Sequence, residues 1–368
     1  MSRHRKQTLA SFMLFIVAIM ALLQGCAAAS LDNSDNMVPS SVIAEKEKIL
    51  EEQPYGDDGS KTASEEDTAP QMEEAEILSE DQVEAADSVI DYENLTTDKT
   101  ITIYDIEDGY MEVPYYPELP QCEYDWSKLK LDGQVLSYDD PAYDTCLGVD
   151  VSKFQGDVDW EKVASQGFSF AIIRLGYRGY GNGSLVTDEY FERNVKGATA
   201  AGMDIGVYFL SQAINETEAA EEAEYAISEL KRCGLEEISY PIVVDSEKIK
   251  FDTSRTESMN GAERTDTILT FCKTVEDAGY KSALYANSQW LTKELDIRRL
   301  TDTDIWFADY QIFDNAEAPL YPYPFFMWQY TNKGKVEGIN GDADLNICFK
   351  KPDDPVNTGK LNNEKPAE

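Results

Sequence analysis

Tyr240-Pro241-Ile242-Val243-Val244-Asp245-Ser246-Glu247 is the stretch on which the reading of this chain turns. A short apolar run rich in β-branched residues is the pattern of a strand buried on both faces of a parallel sheet. Side chains alternate faces along a strand, so Asp245 and Glu247 share one face, with α-carbons roughly 7 Å apart. Two carboxylates so placed repel each other and lose part of their hydration. That should lift at least one pKa towards neutrality, as an acid catalyst requires. The plainer alternative is a strand end whose acids meet solvent or cap the next helix.

Outward from this strand, apolar runs alternate with amphipathic ones between Cys146 and Lys350. Strands are expected at Leu147–Val151, Phe170–Gly176, Met203–Leu210, Pro241–Asp245, Ser282–Ala286, Asp304–Tyr310, Phe325–Tyr330 and near Leu345–Phe349. Helices are expected near Trp160–Gln166, Glu189–Ala201, Glu216–Cys233, Arg264–Ala278 and Gln289–Leu295. Gly167, Gly202, Gly234 and Gly279 punctuate helix ends as C-terminal capping glycines do. Five strand–helix units make a parallel sheet, and the links between the last three strands are too short for further helices. The pattern predicts an α/β fold, an irregular TIM-like barrel of eight strands with an incomplete ring of about five helices.

Sites in such barrels form at the carboxyl ends of the strands. Asp150, Tyr208, Asp245 with Glu247, and Trp306, Ala308 and Tyr310 fall at that level, as do Trp328, Gln329 and Tyr330, and Asp344 with Asn346. Each has a dull explanation as core, rim or cap. Together, carboxylates ringed by Tyr and Trp suit a carbohydrate cleft, because sugar rings stack on aromatic faces while acids address hydroxyls and the glycosidic oxygen.

Composition narrows the chemistry. The single histidine, His4, lies in the N-terminal signal-like stretch, which leaves no histidine for triads, general bases or most zinc hydrolase sites. No two cysteines have CxxC spacing, which argues against a zinc cluster. Beyond Cys26 there are Cys122, Cys146, Cys233, Cys272 and Cys348, an odd number that cannot all pair within one chain. Cys122 and Cys146 could tie the segment before the barrel to its first strand, but buried thiols are expected for most. Carboxylates must carry any catalysis, with no metal or cofactor. A formal charge of −38 argues against nucleic acid as a partner.

Residues 1–26 combine Arg3, Arg5 and Lys6 with an uncharged run from Phe12 to Leu23, too short for a mature transmembrane helix and fitting a secretory signal. Leu22-Leu23-Gln24-Gly25-Cys26 resembles a bacterial lipobox, in which the cysteine is acylated and becomes the mature N-terminus. A plain signal peptide cut near Ala27-Ala28-Ala29 is the alternative. Residues 27–109 are acidic and poor in aromatics, as in Glu65-Glu66-Asp67, and are read as a disordered spacer. Aromatics then rise over 110–145, read as a collar packing on the barrel, 146–350. A polar disordered tail, 351–368, follows. These readings place a monomer outside the cytoplasm, lipid-anchored through Cys26, or secreted if the lipobox is not used.

The barrel resembles the family-25 glycoside hydrolases, the Chalaropsis-type lysozymes. The matching motifs appear in order: Gly148-Val149-Asp150-Val151-Ser152 with Gln155-Gly156 and Asp159-Trp160; Ile173-Arg174-Leu175-Gly176-Tyr177; Gly206-Val207-Tyr208-Phe209; Asp245-Ser246-Glu247; Trp306-Phe307-Ala308-Asp309-Tyr310; Trp328-Gln329-Tyr330; and Asp344-Leu345-Asn346. The resemblance covers Leu147 to Phe349. It implies cleavage of the β-1,4 bond between N-acetylmuramic acid and N-acetylglucosamine in peptidoglycan glycan strands, with Glu247 as general acid among Asp150, Asp245 and Asp344. Arg174, Tyr208, Trp306, Tyr310, Trp328 and Gln329 are the expected substrate-binding residues. A family-18 chitinase-like enzyme would share the barrel and the Asp-x-Glu ending, but would carry another Asp where Val243 stands. A wall-binding module with a dead site is the rival of a different class; turbidity loss of purified walls separates it from an enzyme.

Overall fold

A computed structural model of the chain describes residues 92–105, 108–249, 254–315 and 318–351. The chain divides between Glu66 and Asp67 into two units, and every described residue lies in the second. The readings of 1–26, of 27–91 and of the tail beyond Lys351 lie outside the described residues.

Two antiparallel hairpins come first: β1 (Thr100–Asp105) with β2 (Gly109–Pro114), and β3 (Leu129–Asp132) with β4 (Val135–Tyr138). The barrel strands follow as β5 (Asp144–Val151), β6 (Phe168–Arg178), β8 (Asp204–Leu210), β9 (Ile242–Asp245), β10 (Ser282–Asn287), β11 (Ile305–Ala308), β12 (Met327–Gly334) and β13 (Ala343–Lys350). They pair in the order β5-β13-β12-β11-β10-β9-β8-β6, and β6 pairs with β5 to close the ring. A short strand, β7 (Leu185–Thr187), flanks β6 on the outside of this order. This is the expected irregular α/β barrel.

Among the described residues the helices are α1 (Trp160–Ser165), α2 (Phe191–Ala200), α3 (Glu216–Arg232), α4 (Gly261–Asp277) and the five-residue α5 (Gln311–Asn315); a π-helical turn, Trp290–Glu294, occupies the fifth expected position. Gly167, Gly202, Gly234 and Gly279 all have positive φ, the conformation a capping glycine supplies without a Cβ clash. Between β12 and β13 the turn at Gly338 and Gly341 leaves no room for a crossover helix. β13 is therefore antiparallel to both β12 and β5.

The side left without helices is covered by the segment that precedes the barrel. Tyr124 stacks on Phe349 at 4.3 Å and meets Phe325 edge-on at 5.3 Å. Trp126 meets Trp328 at 6.1 Å. The β1–β2 hairpin buries Ile103 and Val113, and its tip is held where Gln289 Nε2 donates to the Asp108 carboxylate at 2.6 Å. Part of the stretch 27–109 read as spacer is thus folded: the turn Tyr92–Asn94, β1 and the start of β2. The alternation Thr100-Ile101-Thr102-Ile103 is a strand signal that the acidic composition around it obscured. All five cysteines beyond Cys26 are thiols, and the tie between Cys122 and Cys146 is not formed.

Candidate active site

The barrel interior is packed by Phe170, Ile172, Tyr240, Val243, Ala283, Trp306, Met327 and Cys348. Side chains alternate, so the next inward position along a parallel strand lies two residues on. Arg174 follows Ile172, Asp245 follows Val243, Tyr285 follows Ala283 and Gln329 follows Met327. On the antiparallel β13 the step runs backwards from Cys348 to Asn346 and Asp344. Asp150 stands opposite Asp344 in the β5–β13 register, and Tyr208 opposite Arg174 in β6–β8. Nearly every strand therefore delivers a polar or aromatic group to one end of the barrel.

Asp150 is the hub of this layer. Its Oδ2 accepts from Gln329 Nε2 and from Asn346 Nδ2, each at 2.8 Å. Burial pushes the Asp150 carboxyl up to about 6, although the Asn346 and Gln329 donors, and a hydrogen bond with Asp344, pull it down. Asp150 and Asp344 form a carboxyl pair of the kind that holds a proton between like charges. Gln329 is oriented in turn, because its Oε1 accepts from Tyr285 at 2.8 Å and from Tyr310 at 2.5 Å. Burial holds the phenols of Tyr208, Tyr285 and Tyr310 well above their ordinary range, so they stay protonated.

The opening stretch behaves differently from a continuous strand. β9 ends at Asp245, and Ser246 and Glu247 lie just beyond it. Trp290 Nε1 donates to Ser246 Oγ at 2.8 Å, which pins the middle residue towards the π-helical turn. The acids on either side bear electrostatically on the tyrosines of the site: Asp245 on Tyr208 and Tyr285, Glu247 on Tyr285 and Tyr310. Asp245 is buried and Glu247 half-buried. A cavity of about 20 Å³ beside Glu247, bordered by Ser211, Thr256, Arg264 and Trp290, is wide enough for one water. Burial lifts the Asp150 carboxyl towards neutrality, a group that the Asp245–Glu247 spacing did not point to.

The expected substrate-binding residues separate into groups. Tyr208 and Tyr310 are half-buried beside the carboxylates. Arg174 is spoken for: its Nε donates to Asp188 Oδ2 at 2.7 Å and its guanidinium lies 5.0 Å from the Phe154 ring. Trp306 is only 1% exposed and its indole N–H donates to Asn346 Oδ1 at 2.8 Å, so it supports the site from below and offers no open face to a sugar. Trp328 must be corrected outright. It belongs to the outer core, donates to the Asp309 carbonyl at 2.7 Å, and packs on Trp126 and Tyr330. Neighbours on a strand face opposite ways, so Trp328 cannot face inward where Gln329 does. Tyr285 and Asp188 were missed as site residues, and Asn346 was placed at the barrel mouth without a role; for Tyr285 the signal was its spacing of two from Ala283. Among the described residues no group of three or more His, Cys, Asp or Glu is placed to hold a metal ion.

The family model for glycosyl hydrolases family 25 matches residues 149–339. Lysozyme M1 of Streptomyces globisporus is 27% identical over 213 residues, which cover 54% of this chain and 66% of that protein. An autolytic lysozyme of Clostridium acetobutylicum is 25% identical over 198 residues, 54% of either chain. The chain thus spans from about half to about two thirds of these relatives. The modular autolysin LytC of Streptococcus pneumoniae shares the fold, with a TM-score of 0.50 and 23% identity over 69% of this chain and 57% of that one. A second structure of that autolysin holds a synthetic peptidoglycan ligand.

Proposed function

Since the chain belongs to glycosyl hydrolases family 25, we propose that it hydrolyses peptidoglycan at the β-1,4 bond between N-acetylmuramic acid and N-acetylglucosamine. The observation that carries this reading is the gathering of Asp150, Asp344, Asp245 and Glu247, with protonated tyrosines, at one end of the barrel. Glu247 has the longest side chain of the four acids, is half-buried, and has a water-sized cavity beside it through which its proton can be restored. It donates to the leaving glycosidic oxygen. Asp245 stays ionised and either stabilises positive charge at the sugar or orients its 2-acetamido group for attack on the anomeric carbon, a recognised variant of the two-carboxylate schemes. Asp150, ionised above about pH 6, adds negative charge where the oxocarbenium character develops.

Two measurements test the reading. Glu247→Gln keeps the shape and removes the titratable proton; wall cleavage should fall by several orders of magnitude while glycan binding persists, and near-normal turnover sinks the assignment. Borohydride reduction of the digest should yield muramitol. Glucosaminitol in its place would keep the glycosidase and move the cut by one sugar.

The lipobox-like Leu22–Cys26 supports a lipid anchor for the domain on the outer face of the cell membrane. The native protein should then partition into detergent with membranes, and Cys26→Ser should release it. A Cys26→Ser protein still held by membranes would show another attachment.

A further inference from the structure

We infer that Trp306 and Asn346 form a positioning pair, in which the indole N–H fixes the Asn346 amide so that its NH₂, and not its oxygen, faces Asp150. The inference rests on the proposed glycan cleavage only for what Asp150 is used for; the geometry stands by itself. Trp306 Nε1 lies 2.8 Å from Asn346 Oδ1, and Asn346 Nδ2 lies 2.8 Å from Asp150 Oδ2. An indole nitrogen can only donate, so the end of the amide that meets it must be the oxygen. Asn346 is fully buried and Trp306 nearly so, and no water competes for either group. The other donor to Asp150 is not held in the same way. Gln329 is oriented by two phenols, Tyr285 and Tyr310, and a phenol can donate or accept. The Gln329 amide can turn if its tyrosines turn with it; the Asn346 amide cannot.

The charges around Asp150 make this donor matter. Asp344 stands across the β5–β13 register, and Tyr208, Tyr285 and Tyr310 all bear on Asp150. Asp245 and Glu247 bear on those same tyrosines. The cation in the set is Arg174, which faces Tyr208 and is already bonded to Asp188. Beside the hydrogen bond with Asp344, the neutral amide donors are therefore what stabilises a negative Asp150, Asn346 foremost. An amide oxygen turned towards Asp150 would repel the ionised carboxylate and favour the protonated one, so the carboxyl would hold its proton to higher pH.

The test is Trp306→Phe in the full chain, read first by infrared titration of the Asp150 carboxyl with Asp150→Asn as the blank. The midpoint should rise by about one unit, and kcat/KM at pH 6 should fall about fivefold with little change in KM well above the midpoint. An unchanged midpoint overturns the inference. If phenylalanine leaves the barrel too loose to fold, benzothienylalanine at position 306 keeps the bicyclic shape and lacks the N–H. Asn346→Leu supplies the cycle: adding Trp306→Phe to it should shift the midpoint no further, and an additive second shift would mean that Trp306 acts by packing alone. The carboxyl titration needs no substrate. It judges the pair even if the wild-type chain fails to cut peptidoglycan, an outcome that would count against the proposed function and not against this one.

Discussion

Asp150 shows most directly how a single side chain trades stability for chemistry. Its carboxyl is held at about 6 by burial, whereas an unfolded aspartate titrates near 3.9. The folded protein therefore binds the proton more tightly than the unfolded chain between these values. Folding stability is greatest at low pH on this account and falls as pH rises from about 4 through about 6. Asp150→Asn removes that slope while keeping an acceptor for the Gln329 and Asn346 amides. The variant should be more stable than the wild type at pH 8, by up to about 2–3 kcal/mol, and should have lost glycan cleavage. Denaturant melts at pH 5 and pH 8 check this; a variant less stable at both would show that the carboxylate itself holds the site together. At this scale the sequence was legible as far as residue type and strand end, and not as far as orientation. Trp328 and Gln329 were both assigned to the cleft, although alternation allows only one of two neighbours to face inward. Choosing between them requires knowing that Met327 packs inside, and that depends on the opposite strand.

Elements were more legible than side chains, because periodicity is local and the direction of a side chain is not. All eight barrel strands and the helices between the early ones lie within a few residues of the runs that announced them. What was missed has a common cause: β1 to β4 and β7 are short strands in antiparallel ribbons, whose pairing partner supplies much of their definition. Two substitutions test how the elements are joined. A Cβ on Gly148 would lie 2.2 Å from the Phe170 ring, which is fully buried and stacked on Tyr240 at 4.4 Å. Gly148→Ala should cost about 1–3 kcal/mol through overpacking, seen as a lowered Tm. On the far side of β6, Arg178 Nε donates to Glu222 of α3 at 2.8 Å, and Gln212 N donates to the same carboxylate oxygen at 3.2 Å. Burial pushes Glu222 up to about 7 in spite of Ser211 and Arg178. Glu222→Ala strands a buried guanidinium and should cost about 3–5 kcal/mol; a loss below 1 kcal/mol would mean that Glu218 and Glu221 take over the charge.

For the molecule as a whole, the question is what seals a barrel whose helix ring is reduced after β10 to the π-helical turn and the five-residue α5. The aromatic segment before β5 does so, and its contacts fall where the helices are missing. Tyr124 and Trp126 cover Phe325, Trp328 and Phe349, the Tyr124 hydroxyl donates to the Phe325 carbonyl, and the Tyr323 hydroxyl accepts from the backbone N–H of Tyr116 at 2.9 Å. Further round, Arg298 donates to the Leu95 carbonyl at 2.7 Å, tying the first described turn to the link before β11. The family match begins only at residue 149, so this cover lies outside the matched region. Each large aromatic ring it buries is worth about 1.5–3 kcal/mol relative to exposure, and a domain has only about 5–15 kcal/mol in all. Two truncations separate cover from core. A chain beginning at Tyr92 keeps every described contact and should match the full chain in Tm and in wall cleavage. A chain beginning at Asp144 keeps all eight barrel strands and every carboxylate of the site, yet exposes the outer faces of β11, β12 and β13. It should be insoluble or melt well below the first, and solvent exposure of Trp328 should appear as a red shift in fluorescence. If instead the shorter chain melts with the longer one, the barrel closes on its own strands and the aromatic segment is an ornament to its stability.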